Sequence, residues 1–278
     1  MPLSRERVRL LRRISTRKGR EKEAVVLVEG PRALGTAVSA GARLEFVLVE
    51  EGSTGPWREG LLGPLVARGL EAIELPPREF RELSDAETPQ GIAAVAREPR
   101  PPLPEPGEQG PAGCLVLDRV RDPGNAGTLV RAAAAFGVGR VLALDGTVDI
   151  WNPKAVRASA GLAFHLPIHR VAWAEAGAWF EEAGVSLLVA DAGGVDLSAW
   201  IRGGKLPDRW ALLIGNEAEG AREEARAAAE ASLAIPLAPG VDSLNAAMAG
   251  TVLLWALGPG RHRPGDAPTH RPPRSHDP

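Results

Sequence analysis

The sequence predicts an α/β protein in two folded parts, a small front module and a larger rear module built on a mostly parallel sheet. Three observations lead there. A length of 278 residues is long for one small domain and short for three, so two is the natural division. Six prolines fall within 99–111, mixed with Gly and Glu, a composition that favours extended backbone and separates 1–98 from 112–257. Behind that linker, short apolar runs alternate with helix-like segments, the pattern of strands covered on both faces by crossover helices. The last stretch, 258–278, holds Pro, Gly, His and Arg with almost no large apolar residue and is expected to be a disordered tail.

At the front, Val8, Leu10, Leu11 and Ile14 recur among arginines at near-helical spacing. The run Ala24-Val25-Val26-Leu27-Val28 reads as a strand. It ends at Glu29-Gly30-Pro31, where Pro31 suits a first helical turn. Residues 44–49 form the next β-rich run, and 91–96 read as a closing strand. In the rear part the expected strands are 114–117, 140–144, 186–190, 211–214 and 233–235, followed by an apolar helix over 246–257.

With 44% hydrophobic and 24% charged residues, the chain buries real cores and is not wholly disordered. Its longest apolar stretches, such as 211–214 and 251–257, fall far short of the roughly 20 residues that cross a bilayer. The first residues lead into arginines instead of an apolar signal core, and the single cysteine, Cys114, forms no internal disulfide, so a cytoplasmic protein with no membrane partner is expected. Charge is uneven. Residues 1–22 carry nine Lys or Arg against Glu6 and Glu21, a net +7, and since the whole chain sums to −2 the remainder is −9. A basic segment on an acidic body suggests an anionic partner met at one end, with a solvated helix as the alternative.

Three segments could carry chemistry. The first is Asp122-Pro123-Gly124-Asn125-Ala126-Gly127-Thr128-Leu129-Val130-Arg131, after a strand and opening an Ala-rich helix, where small residues allow close approach of a ligand or of backbone. It imitates a dinucleotide fingerprint with Asp145 as the ribose acid, but the first glycine would have to be Asp122. Asn125 could equally be a helix cap and Gly127 a turn former. The second, Leu212-Leu213-Ile214-Gly215-Asn216-Glu217-Ala218-Glu219-Gly220, is a buried strand running into a turn with a carboxylate at its mouth, where open α/β sheets bind ligands. It could also be an ordinary strand-to-helix loop. The third, Ile235-Pro236 through Ser243-Leu244-Asn245, precedes the apolar helix. Asp242 or Ser243 can cap that helix, which leaves the Asn245 amide in need of partners. His165 and His169 are separated by Pro167 and have no Cys or His companions, so no metal site is expected. No Gly-x-Ser-x-Gly elbow or phosphate-binding Gly-Lys-Ser/Thr loop is present.

Taken in order, these segments resemble the SpoU family of RNA ribose 2'-O-methyltransferases within the SPOUT class. Asn125-x-Gly127-x-x-x-Arg131 is similar to its first motif, Gly215-Asn216-Glu217-x-x-Gly220 to its second, and Ile235-Pro236 with Ser243-Leu244-Asn245 to its third. Phe136-Gly137 and the run Asn152 to Gly161 also resemble the family, and the likeness covers essentially all of 112–257. In the front part Glu29-Gly30, Pro89-Gln90-Gly91 and the basic segment are similar to the family's RNA-binding extension.

The resemblance implies a sheet whose C-terminal part is tied in a deep trefoil knot, S-adenosylmethionine as the bound cofactor, and a homodimer. It implies cofactor contacts at Gly215, Asn216, Ile235 and Leu244, and an active-site set of Arg131, Asn125, Glu217, Ser243 and Asn245. RNA, ribosomal in preference to transfer, would be gripped at phosphates by Arg5, Arg9, Arg12, Arg13, Arg17 and Lys18 of the front, and by Lys154 and Arg157. With no tyrosine and five phenylalanines, base stacking would fall to tryptophan or arginine. Arg131 is the family's proposed proton acceptor, yet a guanidinium is a poor base and could equally stabilise a developing alkoxide. The alternative from another class is an RNA-binding protein of this fold without turnover. The presence of Asn125, Arg131, Glu217 and Asn245 argues against it.

Overall fold

The computed structural model describes residues 3–105, 113–204 and 206–258. Residues 106–111 of the expected linker, residue 112 and residues 259–278 of the expected tail lie outside the described residues.

The basic segment folds as two helices, α1 (Arg5–Ile14) and α2 (Arg17–Glu23), with the side chains of Ser4 and Thr16 capping their first turns. It is not a free arm, because Leu11 and Ile14 are buried in the same cluster as Val25, Phe46 and Ile73. Then come β1 (Val25–Glu29), α3 (Pro31–Ser39), β2 (Leu44–Glu50), α4 (Gly63–Ala67), β3 (Ala72–Leu75), α5 (Pro77–Leu83) and β4 (Ile92–Arg97). They form a four-stranded sheet in the order β1-β4-β2-β3, with β4 antiparallel to both β1 and β2 and β3 parallel to β2. Strand β3 escaped sequence reading because four residues give too little alternation to register.

The rear part runs β5 (Gly113–Leu117), α6 (Pro123–Ala135), β6 (Arg140–Leu144), α7 (Pro153–Ala158), β7 (Ile168–Val171), α8 (Trp173–Ala183), β8 (Ser186–Asp196), α9 (Leu197–Arg202), β9 (Trp210–Ile214), α10 (Glu223–Ala228), β10 (Ala231–Ala234) and α11 (Ala246–Leu257). Its six strands are ordered β10-β8-β9-β5-β6-β7, and every neighbouring pair is parallel. The expected α/β class with a mostly parallel rear sheet is therefore observed. Edge strand β7 was not anticipated, because His169 and Arg170 interrupt its apolar run. The chain passes from β5 outward to β6 and β7, then returns beyond β9, so the order reverses between β5 and β9. Ligands of open α/β sheets bind at the carboxyl ends of strands at such a reversal.

One hydrophobic cluster runs through both parts, joining Val26, Val28 and Leu34 to Trp151, Val156 and Phe164. Ion pairs close the same junction. Arg20 of α2, only 2% exposed, contacts Asp149 at 2.6 Å, and Arg170 reaches both Asp149 (2.6 Å) and Glu98 (3.2 Å). The Pro-rich segment is also less free than its composition suggests. His169 donates from Nδ1 to the Pro101 carbonyl (3.2 Å), Trp179 donates from Nε1 to the Pro104 carbonyl (3.0 Å), and Leu103 packs on the rear core. Extended proline backbone exposes carbonyls that make no hydrogen bond of their own, and neighbouring N–H groups take them.

Candidate active site

The three motif segments meet at the carboxyl ends of β5, β9 and β10. The loop after β5 enters α6 through Asp122, whose Oδ1 accepts from the Asn125 N–H at 2.8 Å. The capping residue is thus Asp122, which leaves the Asn125 side chain for another use. That Asn125 N–H, together with Lys154 and the Gly124 N–H, holds the Asp122 carboxyl below the usual carboxylate range against the opposing effect of burial. Gly127 forms no turn. A Cβ there would lie 2.3 Å from the Ala155 carbonyl oxygen and 2.7 Å from the Ala158 side chain, so glycine allows α6 to seat against α7.

In the second segment the Asn216 side chain organises the loop. Its Oδ1 accepts from the N–H groups of Ala218 (2.9 Å) and Glu219 (3.0 Å), and its Nδ2 donates to the Arg119 carbonyl (2.9 Å). Gly215 is required for a different reason from the one the motif suggests. A Cβ would sit 2.2 Å from the Ala221 nitrogen and 2.3 Å from the Gly220 carbonyl carbon, so a side chain would collide with the loop's own backbone rather than merely occupy ligand space. In the third segment the cap of α11 is Asn245 itself, not Asp242 or Ser243. Its Oδ1 accepts from the N–H groups of Ala247 (2.9 Å) and Met248 (3.3 Å).

The amides left over by these caps link the motifs. Asn245 donates from Nδ2 to Asn125 Oδ1 (3.1 Å), and Asn125 donates from Nδ2 to Glu217 Oε1 (2.9 Å). Burial pushes the Glu217 carboxyl up, but the hydrogen bonds from Asn125 and from the backbone of Glu217, Arg121 and Asp122 together outweigh it, and the carboxyl lies below the usual range. Glu217 is therefore a carboxylate at neutral pH, and the direction of each amide follows from it.

Beside this relay lies a cleft of about 210 Å³ whose walls include Ile214, Leu233, Ile235, Leu237 and Leu253, with Gly215, Ser243 and Leu244 at its edge. Among the described residues, the main chains of Leu237, Ser243 and Leu244 make no hydrogen bond. An apolar slot rimmed by free main-chain donors and acceptors fits a purine nucleoside, whose faces are apolar and whose edge needs such partners. Sequence reading missed Asp191, which lies within β8 just after the apolar residues 187–190, lines the cleft and pairs with Arg226. Its position after that apolar run was the available clue.

Behind the relay, the fully buried Asp118 accepts from the backbone N–H (2.8 Å), Nε (2.8 Å) and Nη2 (2.6 Å) of Arg222. Arg119 adopts a left-handed backbone (φ 57°) and donates to Glu219 (2.9 Å) and the Gly220 carbonyl (3.3 Å). These pairs tie the loop after β5 to the loop after β9. Asp145 does not line the cleft, which removes the dinucleotide comparison.

Arg131 stands apart from the other expected catalytic residues. It is exposed on α6, lines no part of the cleft, and makes no hydrogen bond or ion pair among the described residues. Of the expected RNA contacts, Arg13 pairs with Glu23 (2.7 Å), Arg17 with Glu21 (2.8 Å) and Arg157 with Glu29 (3.0 Å). Lys154 lies 3.5 Å from Asp122, while Arg5, Arg9, Arg12 and Lys18 have no such partner among the described residues. No described helix is long and apolar enough to cross a membrane.

A doubly wound parallel sheet with three motif loops converging on one cleft defines a SPOUT-class methyltransferase fold. The profile of the SpoU rRNA methylase family matches residues 113–255, and that of the MRM3-like substrate binding domain matches 5–94. The chain is 28% identical to the 23S rRNA (guanosine(2553)-2'-O)-methyltransferase RlmP of Bacillus subtilis, over 91% of this chain and 96% of that protein. It is 31% identical to the mitochondrial rRNA methyltransferase 3 of Mus musculus, over 87% and 69%. The crystal structure of the SpoU methyltransferase AviRb from Streptomyces viridochromogenes in complex with AdoMet superposes with a TM-score of 0.79 at 27% identity, covering 92% of this chain and 97% of that one. The chain belongs to the SpoU rRNA methylase family.

Proposed function

We propose that this chain transfers the methyl group of S-adenosylmethionine to a ribose 2'-hydroxyl of ribosomal RNA. The observation that carries the reading is the Asn245–Asn125–Glu217 relay, which joins all three motifs at the rim of the cleft. When bound, the cofactor supplies an electrophilic methyl on a sulfonium. Ile235 and Leu244, with Gly215 behind them, would hold it against the cleft, and Asn216 keeps that loop in shape. Glu217, Asn125, Asn245 and Ser243 would then align the ribose, the main demand of an in-line displacement between two bound reactants. As the oxygen–methyl bond forms and the sulfonium–methyl bond breaks, the hydroxyl proton passes to solvent, and a permanent positive charge at Arg131 would stabilise the negative charge that develops on the oxygen.

Arg131 reaches this role most simply across a dimer. It is exposed without a partner among the described residues, and α11, which packs on α6, leaves Met248 (60% exposed) and Trp255 (65%) uncovered. A second copy would cover that apolar stripe. Mixed dimers of Arg131→Ala and Glu217→Gln chains should recover activity if the arginine acts in trans, and stay dead if each site is complete within one chain. The Pro-rich linker supports a substrate-binding unit over 1–98 and a catalytic unit over 112–257, the net charge of residues 1–22 supports phosphate contacts from the basic side chains, and the arginine-rich start with a single cysteine supports a cytoplasmic setting, while a trefoil knot in the C-terminal part rests on the family likeness.

Methyl transfer from labelled S-adenosylmethionine to ribosomal RNA transcribed without modifications, followed by mapping of the methylated ribose, tests the activity. A single labelled 2'-position is expected. Binding of cofactor and RNA with no transfer would instead favour a non-catalytic RNA-binding protein of the same fold.

A further inference from the structure

A cleft of about 620 Å³ lies between the two modules, lined in part by Glu29, Gly30 and Gln90 of the front stretches that resemble the family's RNA-binding extension and by Lys154 and Arg157. Its front wall is the start of α3 and the loop 85–90, and its rear wall is α7. That volume lies within the roughly 300–1,000 Å³ of small-molecule sites. Its walls are held by groups that are already fully engaged. Glu29, buried between the modules, pairs with Arg157 and with Ser84, and Arg157 also donates to the Asp85 carbonyl (3.2 Å). At Gly161 a Cβ would lie 2.2 Å from the Ala33 carbonyl oxygen, and His165 donates to the Thr36 carbonyl (3.1 Å). The two walls are therefore fixed relative to each other before any ligand arrives.

The side chains facing this space are of a different kind. Arg32, Glu87, Thr88 and Gln90 line the cleft, and among the described residues none of their side chains makes a hydrogen bond or ion pair. Together they offer a cation, an anion, a hydroxyl and an amide. A purely cationic lining would suit a sugar-phosphate backbone alone. A mixed set of donors and acceptors suits the edge of a nucleobase, with the cation left for its phosphate. One contact links the cleft to the active-site loop. Lys154 lines it and lies 3.5 Å from Asp122, the residue that caps Asn125.

We propose that this cleft is a nucleotide subsite, in which an unpaired base next to the methylated ribose is read by Glu87, Thr88 and Gln90 while Arg32 and Lys154 hold its phosphate. Unpaired bases present their Watson–Crick edges for such reading, whereas A-form helices hide theirs in a narrow groove. The front module then selects the position to be methylated and does more than add affinity. The inference rests on the RNA methyltransferase reading above.

The test uses the full-length protein and unmodified transcribed 23S ribosomal RNA. A Thr88→Ala/Gln90→Ala double variant alters exposed side chains, and its melting temperature checks that it folds. Filter binding and methyl transfer should both show weakened RNA use, with kcat/KM for RNA reduced roughly tenfold or more, the discrimination a paired base contact typically supplies. Cofactor affinity should be unchanged, and mapping should reveal methylation at additional riboses. Arg32→Gln should weaken binding without adding new positions, and should flatten the salt dependence. A double variant with wild-type kcat/KM and the wild-type methylation map overturns the subsite. Loss of affinity in Arg32→Gln alone overturns the base-reading role. Failure of the wild-type protein to methylate any RNA counts against the methyltransferase reading itself.

Discussion

Two polar clusters in this chain behave oppositely in the fold. The cluster at the module junction, Arg20, Asp149, Arg170 and Glu98, is closed. Arg20 and Asp149 are buried and each charge faces an opposite one. The cluster at the cleft, Asn125, Glu217 and Asn245, is reached by solvent, and one end of its relay is a carboxylate held ionised by N–H donors with no cation paired to it among the described residues. Burial makes the first cluster a fastening, because an unpaired charge there cannot be hydrated. Exposure leaves the second able to meet a substrate.

The largest effect should come from opening the fastening. Arg20→Ala leaves Asp149 buried beside a single remaining arginine and should cost about 3–5 kcal/mol, seen as a lower denaturant midpoint, with cofactor and RNA binding falling together. A variant of unchanged stability would erase the distinction between the clusters. Gly215→Val comes next. Because its Cβ meets loop backbone, both melting temperature and cofactor affinity should drop, whereas loss of affinity alone would mean that the loop accommodates the side chain.

For the residues assigned to catalysis the expected pattern is reversed. Arg131→Ala should depress single-turnover rate by on the order of a hundredfold or more, with no loss of thermal stability, since it breaks no ion pair among the described residues. Arg131→Lys separates charge from the planar fork: strong rescue indicates charge alone, weak rescue indicates paired geometry. The Glu217 carboxyl has a lowered folded-state value. Its contribution to stability is therefore present above the ordinary carboxylate value and is lost as pH falls through the lower folded one. Glu217→Gln should flatten the acid limb of the stability profile, and an unchanged limb would remove Glu217 from it.

The smallest effect concerns the basic front. Removing residues 1–22 would strip Leu11 and Ile14 from the core and Arg20 from its pair, so truncation cannot isolate RNA binding. Replacing Arg5, Arg9 and Arg12 by Gln should instead reduce the salt slope of RNA affinity by about one per lost phosphate contact, with little change in melting temperature. An undiminished slope would show that these charges only solvate α1.

Five of the six rear strands, the final apolar helix and the motif residues were legible in the sequence because burial on both faces writes unbroken apolar runs, and because the motif residues keep fixed spacing within single loops. Asn125, Glu217 and Asn245 could be picked out in this way. That they form one relay could not, since they are 92 and 120 residues apart and no local pattern encodes such a contact. Tertiary structure alone also decided that Asn245 caps its helix, that Gly127 and Gly215 answer to neighbouring backbone, and that the basic segment packs as α1 and α2. It likewise left Arg131 outside its own cleft. A residue's type and spacing limit what it can do, but the direction in which its hydrogen bonds and charge are used depends on which distant groups the folded chain brings within reach.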